Sequence, residues 1–177
     1  NSDIAMTGHR FFFLLRRFAG LVLLALPGVL GHAQVNSEPQ LKAAFLVNFL
    51  KYIEWPASSA STATICLFGR DTLGPYLTSY EGRTIVGREL RIRRINGPDQ
   101  VAECQILFVP DTEDARFGAV LRWVENLPVL TVSDADVFTR QGGAIALVRA
   151  DGRLQFDINV DVLGRAGLKP HSQMMRL

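Results

Sequence analysis

The chain has 177 residues and a formal net charge of +2, and three of its basic side chains, Arg10, Arg16 and Arg17, lie close to the N-terminus. Without residues 1–33 the basic and acidic side chains balance, so the charge gives no support for nucleic acid as a partner. The remaining length suits one domain with a single core, and no internal repeat is found.

Residues 1–33 have the pattern of a secretory signal peptide. The three arginines precede an apolar run at 18–30, and small residues follow it, ending at Ala33. The run contains Pro27 and is shorter than the roughly 20 residues of a membrane-spanning helix, so a retained anchor is the weaker interpretation. We expect cleavage after Ala33 and an exported mature domain over 34–177.

The first predicted element of that domain is a helix over 38–54. Ser37 and Gln40 have the spacing of a capping box, and apolar side chains then recur at helical intervals. The helix is expected to end before Pro56, because proline disfavours helical geometry in the residue before it.

Three short apolar runs, at 64–68, 105–109 and 128–132, are typical of buried strands. Helical patterns at 71–80 and 113–126 lie between them. Because strands and helices alternate along the chain, a mainly parallel central sheet is predicted.

Two further pairs of segments are predicted to form β-hairpins. Their strands are residues 83–86 with 89–95, and 144–149 with 153–158. The turns are expected at Gly87-Arg88 and Asp151-Gly152, and the second signal is the stronger, since Asp-Gly is typical of a two-residue type I′ turn. A short helix at 160–166 should end at Gly167, and Met174, Met175 and Leu177 of the tail should pack back on the domain. The predicted fold class is therefore α/β: a single domain whose central, mainly parallel sheet carries β-hairpins and has helices on both faces.

The mature domain contains two cysteines. Cys66 lies in the first predicted buried strand, and Cys104 directly precedes the second. In an oxidising compartment an isolated pair favours a disulfide, and neighbouring strands could bring the two Cα atoms within the roughly 4.4–6.8 Å that it requires. Two buried free thiols are the alternative.

The sequence offers no recognisable catalytic apparatus. His171 is the one histidine of the mature domain, and the common hydrolase, zinc and phosphate-loop motifs are absent from the sequence. The segment at 157–161 resembles the start of a calcium loop but lacks its later glycine and glutamate, so Asn159 is better interpreted as a helix N-cap. We therefore predict no catalytic residue, no cofactor and no metal ligand.

Three aspartates form the strongest alternative. Asp71, Asp111 and Asp134 each follow a predicted buried strand, and the carboxyl ends of parallel strands are where open α/β sheets place ligands. Together they could hold magnesium in a phosphatase, or the same edge could bind a small molecule. Since each also lies where a following helix would favour an acidic cap, capping is the preferred interpretation.

A basic strand is predicted around Arg91, Arg93 and Arg94. Charged side chains commonly protect an exposed strand from unwanted pairing, so a solvated face is the preferred interpretation. A surface for docking a partner is the alternative.

The order of segments resembles that of YfiR-type proteins over nearly all of the mature domain. The matching segments are Leu41-Lys42-Ala43-Ala44-Phe45, Asn48-Phe49, Trp55-Pro56, Ile65-Cys66-Leu67-Phe68-Gly69-Arg70-Asp71, Gly82-Arg83-Thr84, Cys104 before Ile106-Leu107-Phe108, Val129-Leu130-Thr131-Val132, Gly142-Gly143, Phe156-Asp157-Ile158-Asn159 and Ser172-Gln173. Each segment alone is weak evidence for the resemblance, but together the segments are specific for it.

The resemblance implies a periplasmic repressor that is not an enzyme. Such a protein binds the periplasmic sensor region of an inner-membrane diguanylate cyclase, YfiN, and lowers cyclic di-GMP output. The resemblance also implies a homodimer, an outer-membrane lipoprotein, YfiB, that removes the repressor, and sensitivity to the thiol/disulfide balance. YfiR proteins can carry two cysteine pairs, and this chain matches only one of them, through Cys66 and Cys104.

Overall fold

The computed structural model describes residues 37–58 and 60–174. The predicted signal peptide and its cleavage point lie outside the described residues, as do Met175 and Leu177 of the tail. Met174 is fully buried, as expected for a tail that packs back on the domain.

The first helix, α1, spans Glu38–Tyr52. The side chain of Gln40 accepts a hydrogen bond from the backbone N–H of Ser37 at 2.8 Å, as a capping box requires. The helix is shorter than the predicted 38–54 because strand β1, Ile53–Glu54, pairs antiparallel with β9, Lys169–Pro170. The last two residues of the predicted helix thus form a small second sheet with the tail.

The main sheet has seven strands, and the predicted fold class is confirmed. The strands are β2 Thr62–Phe68, β3 Thr84–Ile85, β4 Arg88–Ile95, β5 Ile106–Phe108, β6 Leu130–Ser133, β7 Ile145–Ala150 and β8 Arg153–Ile158. They lie in the order β3-β4-β2-β5-β6-β7-β8. The five inner strands are parallel to one another, whereas β3 and β8 run antiparallel at the two edges.

The helices between the strands are shorter and more irregular than predicted. The pattern at 71–80 forms helix α2, Gly74–Leu77, and a 3₁₀ turn at Thr78–Tyr80, because Pro75 suits only the first turn of a helix. The pattern at 113–126 forms a 3₁₀ helix, Asp111–Arg116, and then α3, Phe117–Trp123. An additional 3₁₀ helix, Pro98–Glu103, was not predicted, and the last helix, α4, spans Val160–Arg165.

The two hairpin turns differ in how well the sequence located them. The second turn lies at Asp151-Gly152 as predicted, and both residues have positive φ, 51° and 73°. The first lies at Val86-Gly87, one residue before the predicted Gly87-Arg88, because Arg88 is the partner of Ile85 in the β3–β4 ladder. A positive φ of 48° is rare for a β-branched residue, so the pattern did not favour Val86.

Side chains alternate along the strands between two cores, and helices cover both faces as predicted. In β2, Ile65 and Leu67 join the core beneath α1, α2 and α4, which we call the α1 face. Cys66 and Phe68 join the opposite core beneath α3 and the 3₁₀ helix Pro98–Glu103, which we call the disulfide face.

Candidate functional site

The structure joins Cys66 and Cys104 through a disulfide, in agreement with the prediction, with Cα atoms 5.7 Å apart and a sequence separation of 38. The bridge ties β2 to the segment that leads into β5. Cys66 is 0% exposed and Cys104 is 2% exposed, so a reductant cannot reach the sulfurs while the disulfide face stays closed. The bridge is therefore placed to hold the core together.

Asp71 caps a turn at the carboxyl end of β2. Its Oδ1 accepts a hydrogen bond from the backbone N–H of Gly74 at 2.6 Å, and its Oδ2 pairs with Arg94. The predicted capping role is thus observed, together with an ion pair that the sequence did not indicate.

Asp134, directly after β6, does not cap a helix that follows it in sequence. Its Oδ1 accepts a hydrogen bond from the backbone N–H of Asp111, and its Oδ2 accepts one from Lys42 Nζ, both at 2.8 Å. Lys42 also pairs with Glu38 at 2.9 Å, so Asp134 connects the ends of β5 and β6 to α1. The predicted cap of a helix after Asp134 is not observed, because residues 136–142 form turns and the two carboxylate oxygens bond to Asp111 and Lys42.

The pKa values of this ion-pair cluster reflect mutual stabilisation. Burial on its own would lower the pKa of Lys42, but hydrogen bonds to Asp134 and Glu38 outweigh it and hold that pKa above its ordinary value of 10.5. The hydrogen bond from Lys42, helped by its charge, lowers the pKa of Glu38 below 4.5. Lys42 and Glu38 are therefore both charged near neutral pH.

The three aspartates do not converge on a metal site. Two of them face cations of the chain itself, Arg94 and Lys42, and Asp111 engages Asp134 through its backbone. Within residues 37–58 and 60–174, no three histidine, cysteine, aspartate or glutamate side chains lie close enough to hold a metal ion. These contacts support the fold and do not favour magnesium-assisted chemistry.

Asn159 is the N-cap of α4, as predicted. Its side-chain oxygen accepts a hydrogen bond from the backbone N–H of Val162 at 3.2 Å, and its Nδ2 donates to the Thr139 carbonyl at the same distance. The calcium-like segment thus begins a helix.

The basic strand is β4, and its Arg91, Arg93 and Arg94 are exposed but paired. Arg91 pairs with Glu89, Arg93 with Glu103 and Arg94 with Asp71. Beyond the short strand β3, Glu81 Oε1 also accepts a hydrogen bond from the backbone N–H of Ile92 at 3.3 Å. These contacts fit the solvated, protected edge that the sequence favoured.

A cavity of about 300 Å³ at the amino ends of β2, β4 and β5 was missed by the sequence reasoning. It is lined by Trp55, Arg88, Gln105 and His171 among others. Trp55 Nε1 and Arg88 Nη2 are buried, and no acceptor among the described residues bonds to either. Trp55 was interpreted only as the end of a helix, because nothing local shows that Arg88 comes to lie at the same cavity.

The fold defines the chain as a mixed α/β protein built on an open, mostly parallel sheet. A solved structure described as the ABC domain in complex with L-Trp from Streptococcus pneumonia has this fold, with 12% sequence identity and a TM-score of 0.51. The similarity covers 76% of this chain and 58% of that chain. In the part of the chain that the structure describes, no helix is both long and apolar enough to cross a membrane.

The family model of YfiR/HmsC-like proteins matches residues 39–177. The chain therefore belongs to the YfiR/HmsC-like family, whose members are regulatory proteins, as the resemblance of its segments implied.

Proposed function

We propose that the chain is a periplasmic negative regulator of an inner-membrane diguanylate cyclase. It binds the periplasmic sensor region of a YfiN-like cyclase and lowers the production of cyclic di-GMP. The observation that carries the proposal is the match of residues 39–177 to the YfiR/HmsC-like family. Residues 1–33 act as the export signal and are removed, and the domain over 34–177 acts as a homodimer.

The contacts of the charged side chains support regulation by binding. The carboxylates at the carboxyl ends of the strands are engaged by Lys42, Arg94 and a backbone N–H, an arrangement that stabilises a scaffold. A rigid scaffold with a covalently tied core suits a protein that presents a fixed surface to a partner, since preorganisation lowers the entropic cost of association.

Export and regulation are tested together by expressing the full chain with its cognate cyclase in a host that lacks other cyclases. Cyclic di-GMP should fall, and mass spectrometry of the periplasmic protein should give a chain beginning at Gln34. The matched control is the same chain without residues 1–33, which should stay in the cytoplasm and leave cyclic di-GMP unchanged. Cyclic di-GMP that is unaffected by periplasmic protein would reject the proposal.

Partner binding is tested with the purified periplasmic region of the cyclase. The mature chain should bind it directly, and a YfiB-like outer-membrane lipoprotein should compete for the chain. Binding of the lipoprotein without binding of the cyclase region would place the chain elsewhere in the signalling system.

A second candidate function, small-molecule binding, is favoured by the two buried donors of Trp55 and Arg88. A ligand with a carboxylate or another strong acceptor could satisfy both, because buried donors without acceptors are costly. A thermal-shift screen of carboxylate-bearing metabolites tests this, with Arg88→Gln as the matched control. A ligand that stabilises the wild type and this variant equally would exclude the cavity as its site.

A further inference from the structure

The strand β8 leaves one side of its backbone unpaired within the described residues. It lies at the end of the sheet, with β7 on its inner side. The backbone N–H of Asn159, directly after β8, donates to the Ala144 carbonyl directly before β7, at 2.8 Å. Because residues of an antiparallel pair alternate in direction, Leu154, Phe156 and Ile158 direct their N–H and C=O groups outward.

By comparison, the backbone groups at the opposite edge of the sheet are largely paired. There β3 covers the start of β4, and Glu81 accepts the hydrogen bond of Ile92. On β8, no backbone or side-chain hydrogen bond within residues 37–58 and 60–174 reaches the outward groups. An open edge of six residues is a template for another strand.

The exposed side chains of β8 carry opposite charges at its two ends. Arg153, Gln155 and Asp157 lie on one face of the strand and are exposed. Their neighbours across the ladder on β7 are uncharged: Ala150, Val148 and Ala146 respectively. In the described part of the chain, neither Arg153 nor Asp157 forms an ion pair.

We propose that β8 pairs antiparallel with β8 of a second copy of this chain, about a two-fold axis that passes through Gln155. Each Arg153 then lies opposite Asp157 of the other copy, so the interface contains two identical opposite-charge pairs. Leu154 lies opposite Phe156, and these two residues exchange the hydrogen bonds that both chains leave open. The two seven-stranded sheets become one continuous sheet.

The charges select this register from the others that the backbone allows. An axis at Arg153 or Asp157 brings like charges together, which destabilises a strand pair. An axis at Leu154 or Phe156 leaves each charge opposite an uncharged residue or outside the pairing. Only the axis at Gln155 gives two attractive pairs.

This interface rests on the homodimer that the proposed function includes. Its formation does not require the cyclase that the proposed function also includes. The interface and the regulatory function can be rejected separately. The interface is tested by the association state of the purified mature chain, whereas the regulatory function is tested by the level of cyclic di-GMP.

Charge inversion tests the interface by sedimentation equilibrium of the mature chain. Arg153→Asp and Asp157→Arg should each weaken dimerisation by about tenfold or more, because each creates two like-charge pairs. The double variant Arg153→Asp/Asp157→Arg should restore dimerisation to within about threefold of wild type, since it exchanges the charges. Circular dichroism should be unchanged in all three. A monomeric wild type, or single inversions that dimerise normally, would overturn the proposal.

Cysteine cross-linking tests the register. Residues directly opposite in a non-hydrogen-bonded pair have Cα atoms about 4.5 Å apart, within the range of a disulfide. Gln155→Cys should therefore form a covalent dimer on oxidation, whereas Arg153→Cys should not. The pair Arg153→Cys/Asp157→Cys should again cross-link. Efficient cross-linking of Phe156→Cys without that of Gln155→Cys would reject the axis at Gln155.

Discussion

The two faces of the sheet are stabilised in different ways. The α1 face is covered by a helix of 15 residues whose Leu46 and Phe49 are fully buried. Two ion pairs tie charged side chains of α1 to the sheet: Lys42 with Asp134, and Glu38 with Arg149 near the end of β7. The disulfide face is covered by the seven-residue helix α3 and by 3₁₀ segments, and it contains the covalent bridge.

The face with the disulfide is the face that is covered by the shorter helices. A long amphipathic helix buries enough apolar area to be held by packing alone, whereas short helices bury less and are marginal on their own. Aromatic contacts add to the disulfide face, with the rings of Phe117 and Phe138 4.7 Å apart and those of Phe68 and Trp123 5.4 Å apart. The bridge lies where helix packing is weakest.

The largest effect is expected from truncating the α1 face at Phe49. Its ring packs 5.4 Å from that of Phe156 and 6.0 Å from that of Phe45, and it is 0% exposed. Phe49→Ala should lower the free energy of unfolding by about 3–5 kcal/mol, measured by urea titration. Leu41→Ala on the same helix is the control, since Leu41 is 37% exposed, and it should change stability by less than about 1 kcal/mol. Equal effects of both would contradict stabilisation by packing.

The second largest effect is expected from removing the bridge of the disulfide face. Cys66→Ala/Cys104→Ala removes a bridge with a separation of 38 residues, which should lower the free energy of unfolding by about 3–4 kcal/mol. The variant should still fold, with an unchanged far-ultraviolet circular dichroism spectrum, because both cores keep their apolar side chains. If the bridge also regulates, affinity for the cyclase region should change more than this spectrum. A variant that is unfolded would show that the disulfide face depends wholly on the bridge.

A smaller effect is expected at the ion pair of the α1 face. Asp134→Asn weakens the bond to Lys42, whose side chain is 14% exposed, and should cost about 1–2 kcal/mol. Asp71→Asn should cost no more than about 1 kcal/mol, because asparagine also accepts the capping bond of Gly74. Asp111→Asn should cost no more than that, because Asp111 is exposed and engages Asp134 through its backbone N–H. Thermal unfolding of the three variants checks the ranking. Magnesium-dependent phosphate release by the wild type, lost in these variants, would instead favour an enzyme.

The smallest effect is the pH dependence of the same cluster. Lys42 lowers the pKa of Glu38 in the folded state, so the stabilisation is present above the unfolded value near 4.5 and is lost as pH falls through the folded pKa. The pKa of Lys42 is raised above 10.5, so its contribution is lost only as pH rises through that higher value. The effect at Glu38 should be small, because its side chain is 38% exposed and solvent screens it.

Melting temperatures of the wild type and of Lys42→Met, compared above and below pH 4.5, measure this contribution. The advantage of the wild type should shrink on acidification. An advantage that grows below this pH would contradict the pKa direction of Glu38.

Features that depend on neighbouring residues could be predicted from the sequence. The capping box at Ser37, the N-cap at Asn159 and the turn at Asp151-Gly152 were predicted because each is formed by residues within a few positions of one another. The buried strands were predicted from their apolar runs, and the disulfide because only two cysteines were available in the mature domain.

Features that depend on distant residues could not be predicted from the sequence. The pairing of β1 with β9 ended α1 early, and the carboxylate of Asp134 bonds to Lys42, 92 residues away in sequence. The shared cavity of Trp55 and Arg88 belongs with these. In each case the local sequence left the outcome open, because the free energy of contacts with residues far along the chain decided it.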